Sequence, residues 1–417
     1  MSEENMKAEE FCQTRRIEMN FRIAMNGIKY FVNGIAPAAF ARDEAAKKAG
    51  ERIKEGIRSL LLDVSTLDKR RVKPKEKPSI NEEESSFTVD KIISLTKDYD
   101  YLGAAVALND ELHGGLLLKS SFMMVIASFD FLLSDLLHCY YEKYPKSLND
   151  DMVLSLGDLR KCDDLNEAID ILIDRKIETV LFDNFANQML FFENKLKIGT
   201  AKEIISWDRI NEAYQRRNIF SHNNGIVNKR YLSHVGVLPR ELEVEIGQQL
   251  VVSFDYFLAV YWEILAGGIV IAQNCWRKWF KSDTYDADLE LIDIINRELL
   301  KKSIVTAGKL LLYSSEIETD SKETRYNLDV LLCQLLKIAG LQDNFTKKLV
   351  KLEKVATGNR QLADIAALKD DKEAFFEHIK NAAKNGEIYS SDFGTASVYQ
   401  GIYSDPDSKK KLDEIFK

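Results

Sequence analysis

The chain has 417 residues, more than a single hydrophobic core usually supports, which predicts two or three packed units. Its net charge of -8 argues against a generally basic nucleic-acid-binding surface, so any contact with RNA would need a local positive patch. Only 6 prolines and 20 glycines interrupt a chain that is 45% hydrophobic, and this composition predicts an all-α fold.

Cysteine usage and the first residues predict a cytoplasmic protein. The five cysteines are far apart and form no CxxC pair, which is typical of free thiols and argues against a zinc site. The first residues, MSEENMKAEEF, are acidic and lack the apolar stretch of a secretory signal. Neither an HExxH motif nor a phosphate-binding glycine loop occurs, so we expect no metal and no cofactor.

Residues 1–86 form the first predicted region. Helical periodicity extends to about residue 67, with apolar positions at Phe21, Ile23, Ile28, Phe31 and Ile35. Residues 68–86 then combine two prolines with blocks of charge, which is typical of a linker. Two interpretations stay open for this segment. We favour a solvated linker over an RNA-contacting arm built from Lys69, Arg70, Arg71 and Lys73.

Residues 87–284 are predicted to form the second domain. The run Phe122–Tyr141 (FMMVIASFDFLLSDLLHCYY) predicts a long apolar helix that carries acids at Asp130 and Asp135. Pro145 lies just beyond this run and should end the helix.

A later helix of the same domain leads to the candidate site. Trp207, Ile210 and Tyr214 recur at helical spacing and predict one buried face. Glycine is favoured just after a helix end, so Gly225 predicts that this helix stops shortly past His222.

The candidate chemistry lies at the end of that helix, in Arg217-Asn218-Ile219-Phe220-Ser221-His222. A neutral imidazole, with an intrinsic pKa of about 6.5, can take or supply a proton near neutral pH. A guanidinium is permanently charged and suits phosphoryl oxygens on which negative charge builds. RNA supplies its own nucleophile, the 2'-OH, so this pair could cleave RNA without a metal. The alternative is a pair of helix-end cations that the helix dipole favours.

The same stretch resembles the RxxxxH signature of the HEPN superfamily (higher eukaryotes and prokaryotes nucleotide-binding), with Arg217, Asn218 and His222 at the signature positions. The continuation HNNG resembles the turn that ends the catalytic helix in bacterial RNases and defence proteins. The similarity covers about residues 95 to 280. The chain departs from the family at Phe129-Asp130, where members often carry a glutamate.

The resemblance implies an all-α HEPN-like helical bundle and a metal-independent endoribonuclease that yields a 2',3'-cyclic phosphate. Such enzymes act as toxins or as effectors of antiviral defence and abortive infection, so an antitoxin or defence-system partner is expected. Two Arg/His pairs line one cleft in the family, and this chain has one, which implies a homodimer. Catalysis is expected from Arg217 and His222. The expected supporting residues are Asn218, Asn223 and Asp130, and the expected RNA contacts are Arg216, Lys229 and Arg230.

Two apolar or aromatic runs each allow two interpretations. Tyr256–Gln273 has about the minimum length of a membrane span, but Glu263 and the pair Gly267-Gly268 interrupt it, so we predict a buried helix. The run 276–281 (WRKWFK) could stack RNA bases, although the amphipathic end of a buried helix is favoured. We expect no contact with a membrane.

Residues 285–417 are predicted to form a C-terminal helical domain. Charged amphipathic stretches separated by polar turns indicate helical hairpins, arranged loosely like a solenoid or as a plain bundle. Such a domain could bind a partner or could simply support the rest of the protein. The alternative function for the whole chain is a noncatalytic HEPN-like scaffold.

Overall fold

A computed structural model of the chain describes residues 3–35, 111–148, 153–235, 244–301 and 303–417. The regular structure of these residues is helical, apart from one isolated antiparallel bridge between Ile226 and Gln249, and the all-α prediction is therefore confirmed. The chain divides into two compact units between Asp283 and Thr284. The expected domain boundary lay one residue later. The segment predicted as a linker or RNA-contacting arm, 68–86, lies outside the described residues.

Among the described residues, the helices of the first unit are α1 Glu3–Ile35, α2 Glu111–Lys143, α3 Leu156–Leu159, α4 Leu165–Leu181, α5 Phe185–Asn194, α6 Trp207–His222, α7 Lys229–Val235 and α8 Phe254–Trp279. The long apolar helix predicted near 122–141 is α2, which begins earlier than the apolar run. Pro145 opens a 3-10 turn right after it. Helix α6 ends at His222, as predicted.

Helix α1 belongs to the first unit, which corrects the prediction of a separate N-terminal region. It runs antiparallel to α2: Gln13 bonds to Glu142 at one end, and the Phe21 and Phe129 rings meet farther along, with centroids 6.2 Å apart. Its buried apolar face is Ile17, Phe21, Met25, Ile28 and Val32. Of the positions predicted to be apolar contacts, Ile23 and Phe31 are exposed instead. The heptad-like spacing of the true face selects different residues.

Helix α8 is the core of the first unit and is buried along nearly its whole length, which confirms the prediction of a buried helix. Gly267 and Gly268 do not interrupt it. A Cβ at Gly268 would overlap the Phe21 ring and lie 2.9 Å from Leu132, so glycine lets α1, α2 and α8 approach closely. Trp276, Trp279 and Phe280 are also buried, so the aromatic side chains of the 276–281 run do not form a base-stacking surface.

Two of the described helices are long and apolar enough to cross a membrane by length and composition, Leu117–Lys143 in α2 and Phe254–Trp279. They differ in how they lie within the unit. The apolar window of α8 is buried almost completely, whereas only half of the α2 window is buried.

In the described part of the second unit, the helices are α9 Thr284–Leu300, α10 Ile304–Glu316, α11 Lys322–Ile338, α12 Gln342–Glu353, α13 Asn359–Leu368, α14 Lys372–Lys384, α15 Asp392–Thr395, α16 Gln400–Tyr403 and α17 Pro406–Ile415. Consecutive helices pack against each other in pairs, as expected for helical hairpins: α9 with α10, α11 with α12, and α13 with α14. A cluster of Phe375, Phe393 and Tyr399 fills the core beside the last pair.

Candidate active site

Helix α6 carries the candidate residues and is anchored at its start. The Ser206 backbone N–H donates to the buried Glu263 carboxylate on α8, at 3.0 Å, and the Trp207 indole N–H donates to the Thr200 carbonyl, at 2.8 Å. The predicted buried face is confirmed by Ile210 and Tyr214, which lie in the core. The helix is therefore fixed before it reaches the Arg/His stretch.

A buried polar network fixes the middle of α6. The Glu212 carboxylate accepts hydrogen bonds from Arg216 Nε at 2.7 Å, from the Tyr231 hydroxyl at 2.6 Å and from the Tyr256 hydroxyl at 2.6 Å. The Arg216 guanidinium also lies 3.8 Å from the centre of the Tyr256 ring and donates to the Val251 carbonyl. Burial raises the pKa of both tyrosines, so they remain donors to the carboxylate. The network joins α6 to α7 and α8.

Arg216 is therefore a structural residue, which corrects its assignment as an RNA contact. Its side chain is buried, with a residue exposure of 5%, and its Nε and one Nη are committed to Glu212 and Val251. A phosphate could reach this guanidinium only if the core opened. The positive charge of Arg216 instead compensates the negative charge of the buried Glu212 carboxylate.

Arg217, the next residue, points to a different environment at the surface of α2. Its Nη2 lies 3.6 Å from Asp130 Oδ2, and the other oxygen of that carboxylate accepts a 2.5 Å hydrogen bond from the Tyr214 hydroxyl. The Arg217 side chain is 34% exposed. Its Nε has no hydrogen-bond partner among the described residues. The structure thus places the predicted supporting residue Asp130 beside the predicted catalytic arginine.

Asp130 sits where two effects on its pKa oppose each other. Burial raises the pKa of the carboxyl group above its ordinary value, because removal from water disfavours the charged form. The Tyr214 hydrogen bond and the Arg217 charge both lower that pKa. Burial is the largest of the three, so the carboxyl group titrates above the range of an exposed aspartate.

His222, the second predicted catalytic residue, lies at the C-terminal end of α6. Its ring is exposed and makes no hydrogen bond or ion pair within the described part of the chain. The predicted supporting residue Asn218 is exposed as well, and so is Ser221, which lies about one helical turn later. Residues five apart on a helix are rotated by about 140°, so Arg217 and His222 face different directions. One α6 helix by itself does not bring the two side chains together.

The turn after His222 is held by backbone and amide contacts. Asn223 caps the helix and donates from Nδ2 to the Ile226 carbonyl at 2.6 Å, so this predicted supporting residue has a structural contact. Asn224 and Gly225 both have left-handed backbone conformations, with φ 48° and φ 77°. The left-handed backbone at Gly225, which side chains rarely adopt, explains the glycine, and a Cβ there would also lie 3.1 Å from the Phe220 ring.

An adjacent segment closes this turn like a short ladder. The Leu250 N–H donates to the Gly225 carbonyl, and the Val227 N–H donates to the Gln248 carbonyl, at 2.8 and 2.9 Å. These bonds form the isolated bridge of the fold. The position of His222 is therefore fixed by its helix on one side and by a paired turn on the other.

Lys229 and Arg230, the remaining predicted RNA contacts, form the exposed first turn of α7. Asn228 caps this helix through its side chain, which accepts the Tyr231 N–H at 2.9 Å. Neither basic side chain is paired with an acid among the described residues. Cations are unfavourable at a helix N-terminus, because the helix dipole is positive there. The two charges are therefore available to an anion and add nothing to the stability of α7.

Tyr214 is the residue of this site that the sequence did not reveal as such. Its spacing identified it only as part of a buried face, and the structure adds the bond to Asp130. One signal was present: a buried tyrosine hydroxyl needs a hydrogen-bond partner, and an acid on the long apolar helix could provide it. No group of three or more His, Cys, Asp or Glu side chains in the described residues is arranged to hold a metal ion.

Comparison with known proteins found no family model, curated protein or solved structure that matches this chain. The HEPN resemblance thus rests on the Arg217–His222 stretch and its flanks.

Proposed function

We propose that the protein is a metal-independent endoribonuclease of HEPN type, in which Arg217 and His222 act on a phosphodiester of RNA. His222 takes the proton of the 2'-OH or supplies one to the 5'-oxygen that leaves. Arg217 stabilises the negative charge on the phosphoryl oxygens. The products are a 2',3'-cyclic phosphate and a 5'-hydroxyl. By its family resemblance, such an enzyme serves as a toxin or as an effector of antiviral defence.

The observation that carries the proposal is the accessibility of the pair. Within the described residues, the exposed His222 ring has no hydrogen bond or ion pair, and the one-third exposed Arg217 makes one loose ion pair with Asp130 besides its contact with the Tyr214 ring. A buried guanidinium such as Arg216, or a histidine locked in a hydrogen-bond network, would suit a scaffold better. Lys229 and Arg230 add exposed positive charge beyond the turn, where the RNA backbone would continue.

The angular separation of Arg217 and His222 supports a homodimer, in which each protomer's pair faces the partner's. The exposed side of α2 borders this site and is the surface that we propose for the dimer contact. Met124 is 56% exposed and Phe131 is 69% exposed. The two residues are seven apart and therefore lie on the same face of α2, two turns from each other. Phe131 directly follows Asp130 in the chain. Ala127 and Ser128 lie between them and are small enough for two helices to cross closely.

The test is cleavage of single-stranded RNA by the purified full-length chain in EDTA, with analysis of the product ends. We expect cleavage without added metal and a 2',3'-cyclic phosphate. His222→Ala and Arg217→Ala should each reduce the rate by about a hundredfold or more, since general acid-base catalysis alone contributes about that much.

The matched control is His234→Ala, because His234 is an exposed histidine of α7 whose ring, among the described residues, bonds only to Ser233 and to the Arg230 carbonyl of its own helix. This variant should cleave as the wild type does. A strict requirement for magnesium or manganese would contradict the mechanism. Undiminished cleavage by both α6 variants would leave the scaffold as the better interpretation.

A further inference from the structure

We infer that Tyr214 is a positioning residue for Arg217 and acts through Asp130. This inference deepens the proposed function and rests on it. Tyr214 does not itself touch RNA, but it determines the position of the Arg217 side chain when RNA binds.

The contacts form a chain from the core to the surface. The Tyr214 ring is buried and stacks on Phe185 of α5, with centroids 4.5 Å apart and an interplanar angle of 23°. Its hydroxyl donates to Asp130 Oδ1 at 2.5 Å, across from α6 to α2. The other oxygen, Oδ2, is then turned to Arg217, 3.6 Å from Nη2. Each link fixes the next one.

The Tyr214 hydroxyl always acts as the hydrogen-bond donor to Asp130. Burial and the neighbouring Asp130 charge raise the pKa of Tyr214 well above its ordinary value, so its proton stays on the phenol. The carboxylate therefore cannot rotate without losing its shortest hydrogen bond. Without that bond, Asp130 would be free to turn about its side-chain torsion, and only the Arg217 charge would orient it.

The length of the Asp130–Arg217 contact explains why this arrangement positions the arginine without occupying it. A bidentate arginine–carboxylate pair has two short bonds of about 2.7–2.9 Å. Here one Nη approaches one oxygen at 3.6 Å, so the Nη groups are not locked in a bidentate pair and can turn to a phosphate, whereas Nε is buried. The side chain of an unrestrained arginine samples many rotamers, and a misplacement of about 1 Å can slow a reaction about a hundredfold.

The experiment compares Tyr214→Phe, Asp130→Asn and the double variant in the RNA-cleavage assay. Tyr214→Phe keeps the ring and its stacking and removes only the donor. We expect each single variant to lower kcat about tenfold or more with little change in KM, because the arginine acts on charge that develops in the transition state. The double variant should be no slower than Asp130→Asn, since the lost hydroxyl acts only through that carboxyl group, while phenylalanine keeps the ring whose centre lies 5.5 Å from Arg217 Cζ.

A second readout does not depend on cleavage. The charged and titratable groups that face Asp130 among the described residues are Tyr214 and Arg217, both on α6. Loss of the tyrosine donor should raise the pKa of Asp130, measured by NMR of its labelled carboxyl carbon.

Tyr399→Phe is the matched control, because Tyr399 makes the same 2.5 Å buried hydrogen bond to an aspartate, Asp364, in the second unit. It should cost comparable stability and leave kcat unchanged. Additive losses in the double variant, or an unchanged kcat in Tyr214→Phe, would overturn the inference while the wild type still cleaves RNA. If the wild type itself does not cleave RNA, the proposed function fails, and the carboxyl pKa still tests the contact.

Discussion

Two adjacent arginines on α6 point in opposite directions and lie in different surroundings. Arg216 turns inward to Glu212 and Tyr256, whereas Arg217 turns outward to Asp130 on α2. The sequence favoured Arg217 for chemistry because Asn218 follows it, and its exposure is compatible with that choice. The sequence did not predict that Arg216 is buried, because the burial of an arginine depends on partners that lie up to 40 residues away in the chain.

This contrast predicts a large difference in stability between two similar variants. Arg216→Ala leaves the Glu212 carboxylate buried without its charge partner, so we expect the free energy of unfolding to fall by about 3–5 kcal/mol. Arg217→Ala removes a partly exposed, long ion pair and should cost less than about 1 kcal/mol. Urea denaturation followed by tryptophan fluorescence measures both values. Similar losses for the two variants would show that Arg216 is not the structural member of the pair.

At the scale of single elements, the sequence predicted helix ends better than helix faces. The end of α6 follows from local signals, the run of helix-compatible residues and the HNNG turn, and it was predicted within one residue. The buried face of α1 follows from its neighbours. Ile23 and Ile28 are both isoleucines, but only Ile28 faces the rest of the unit. An apolar side chain on a helix is evidence of burial only when its angular position is known.

Glycines of α8 show the same limit. Gly267 and Gly268 suggested a break in the apolar run, yet both lie inside an unbroken helix. Glycine is needed at these positions because Trp207 of α6 approaches Gly267 and Phe21 of α1 approaches Gly268. No local sequence pattern reveals these contacts. A glycine pair in a helix can thus mark a crossing point instead of an interruption.

The exposed face of α2 leads to a prediction about assembly. Phe131→Glu places a charge at the centre of the proposed dimer contact, and burial of an unpaired charge is unfavourable. We expect light scattering to show a dimer for the wild type and a monomer for this variant, with an unchanged helical circular dichroism spectrum. RNA cleavage should be lost together with the dimer.

The control is the same substitution at Phe182, an 88% exposed phenylalanine that follows α4 and lies on another element. Phe182→Glu should remain dimeric and active. A monomeric wild type at micromolar concentration that still cleaves RNA would refute both the contact and the need for a second Arg/His pair.

For the whole molecule, the division into two units follows a change of sequence style that was visible without the structure. The long apolar helices α2 and α8 belong to the first unit, and charged amphipathic hairpins fill the second. All four tryptophans, Trp207, Trp262, Trp276 and Trp279, lie in the first unit. Tryptophan fluorescence therefore reports the unfolding of that unit alone, and the second unit needs its own probe.

The second unit contains a buried carboxyl group that makes its stability depend on pH. Asp364 on α13 accepts the Tyr399 hydroxyl, and burial raises the pKa of this carboxyl from 3.8 to about 6, against the opposing effects of that hydrogen bond and Arg360. A group whose pKa is higher in the folded state binds its proton more tightly when folded. It therefore adds stability below about pH 4, and this contribution is lost as the pH rises through about 6.

We expect the free energy of unfolding of the second unit to contain a component that falls by on the order of 3 kcal/mol between pH 4 and pH 7. Asp364→Asn keeps an acceptor for Tyr399 but cannot titrate, so this component should disappear. Hydrogen exchange of the α13 amides, corrected for the intrinsic effect of pH, measures it in the full-length chain. Ser408 and Lys372 lower the pKa of Asp405 to about 2, so its titration affects stability only at lower pH. Its contribution is the same in the wild type and in Asp364→Asn. An equal pH dependence in wild type and Asp364→Asn would mean that the carboxyl group is already ionised without penalty, and that the polar contacts around α13 compensate its burial fully.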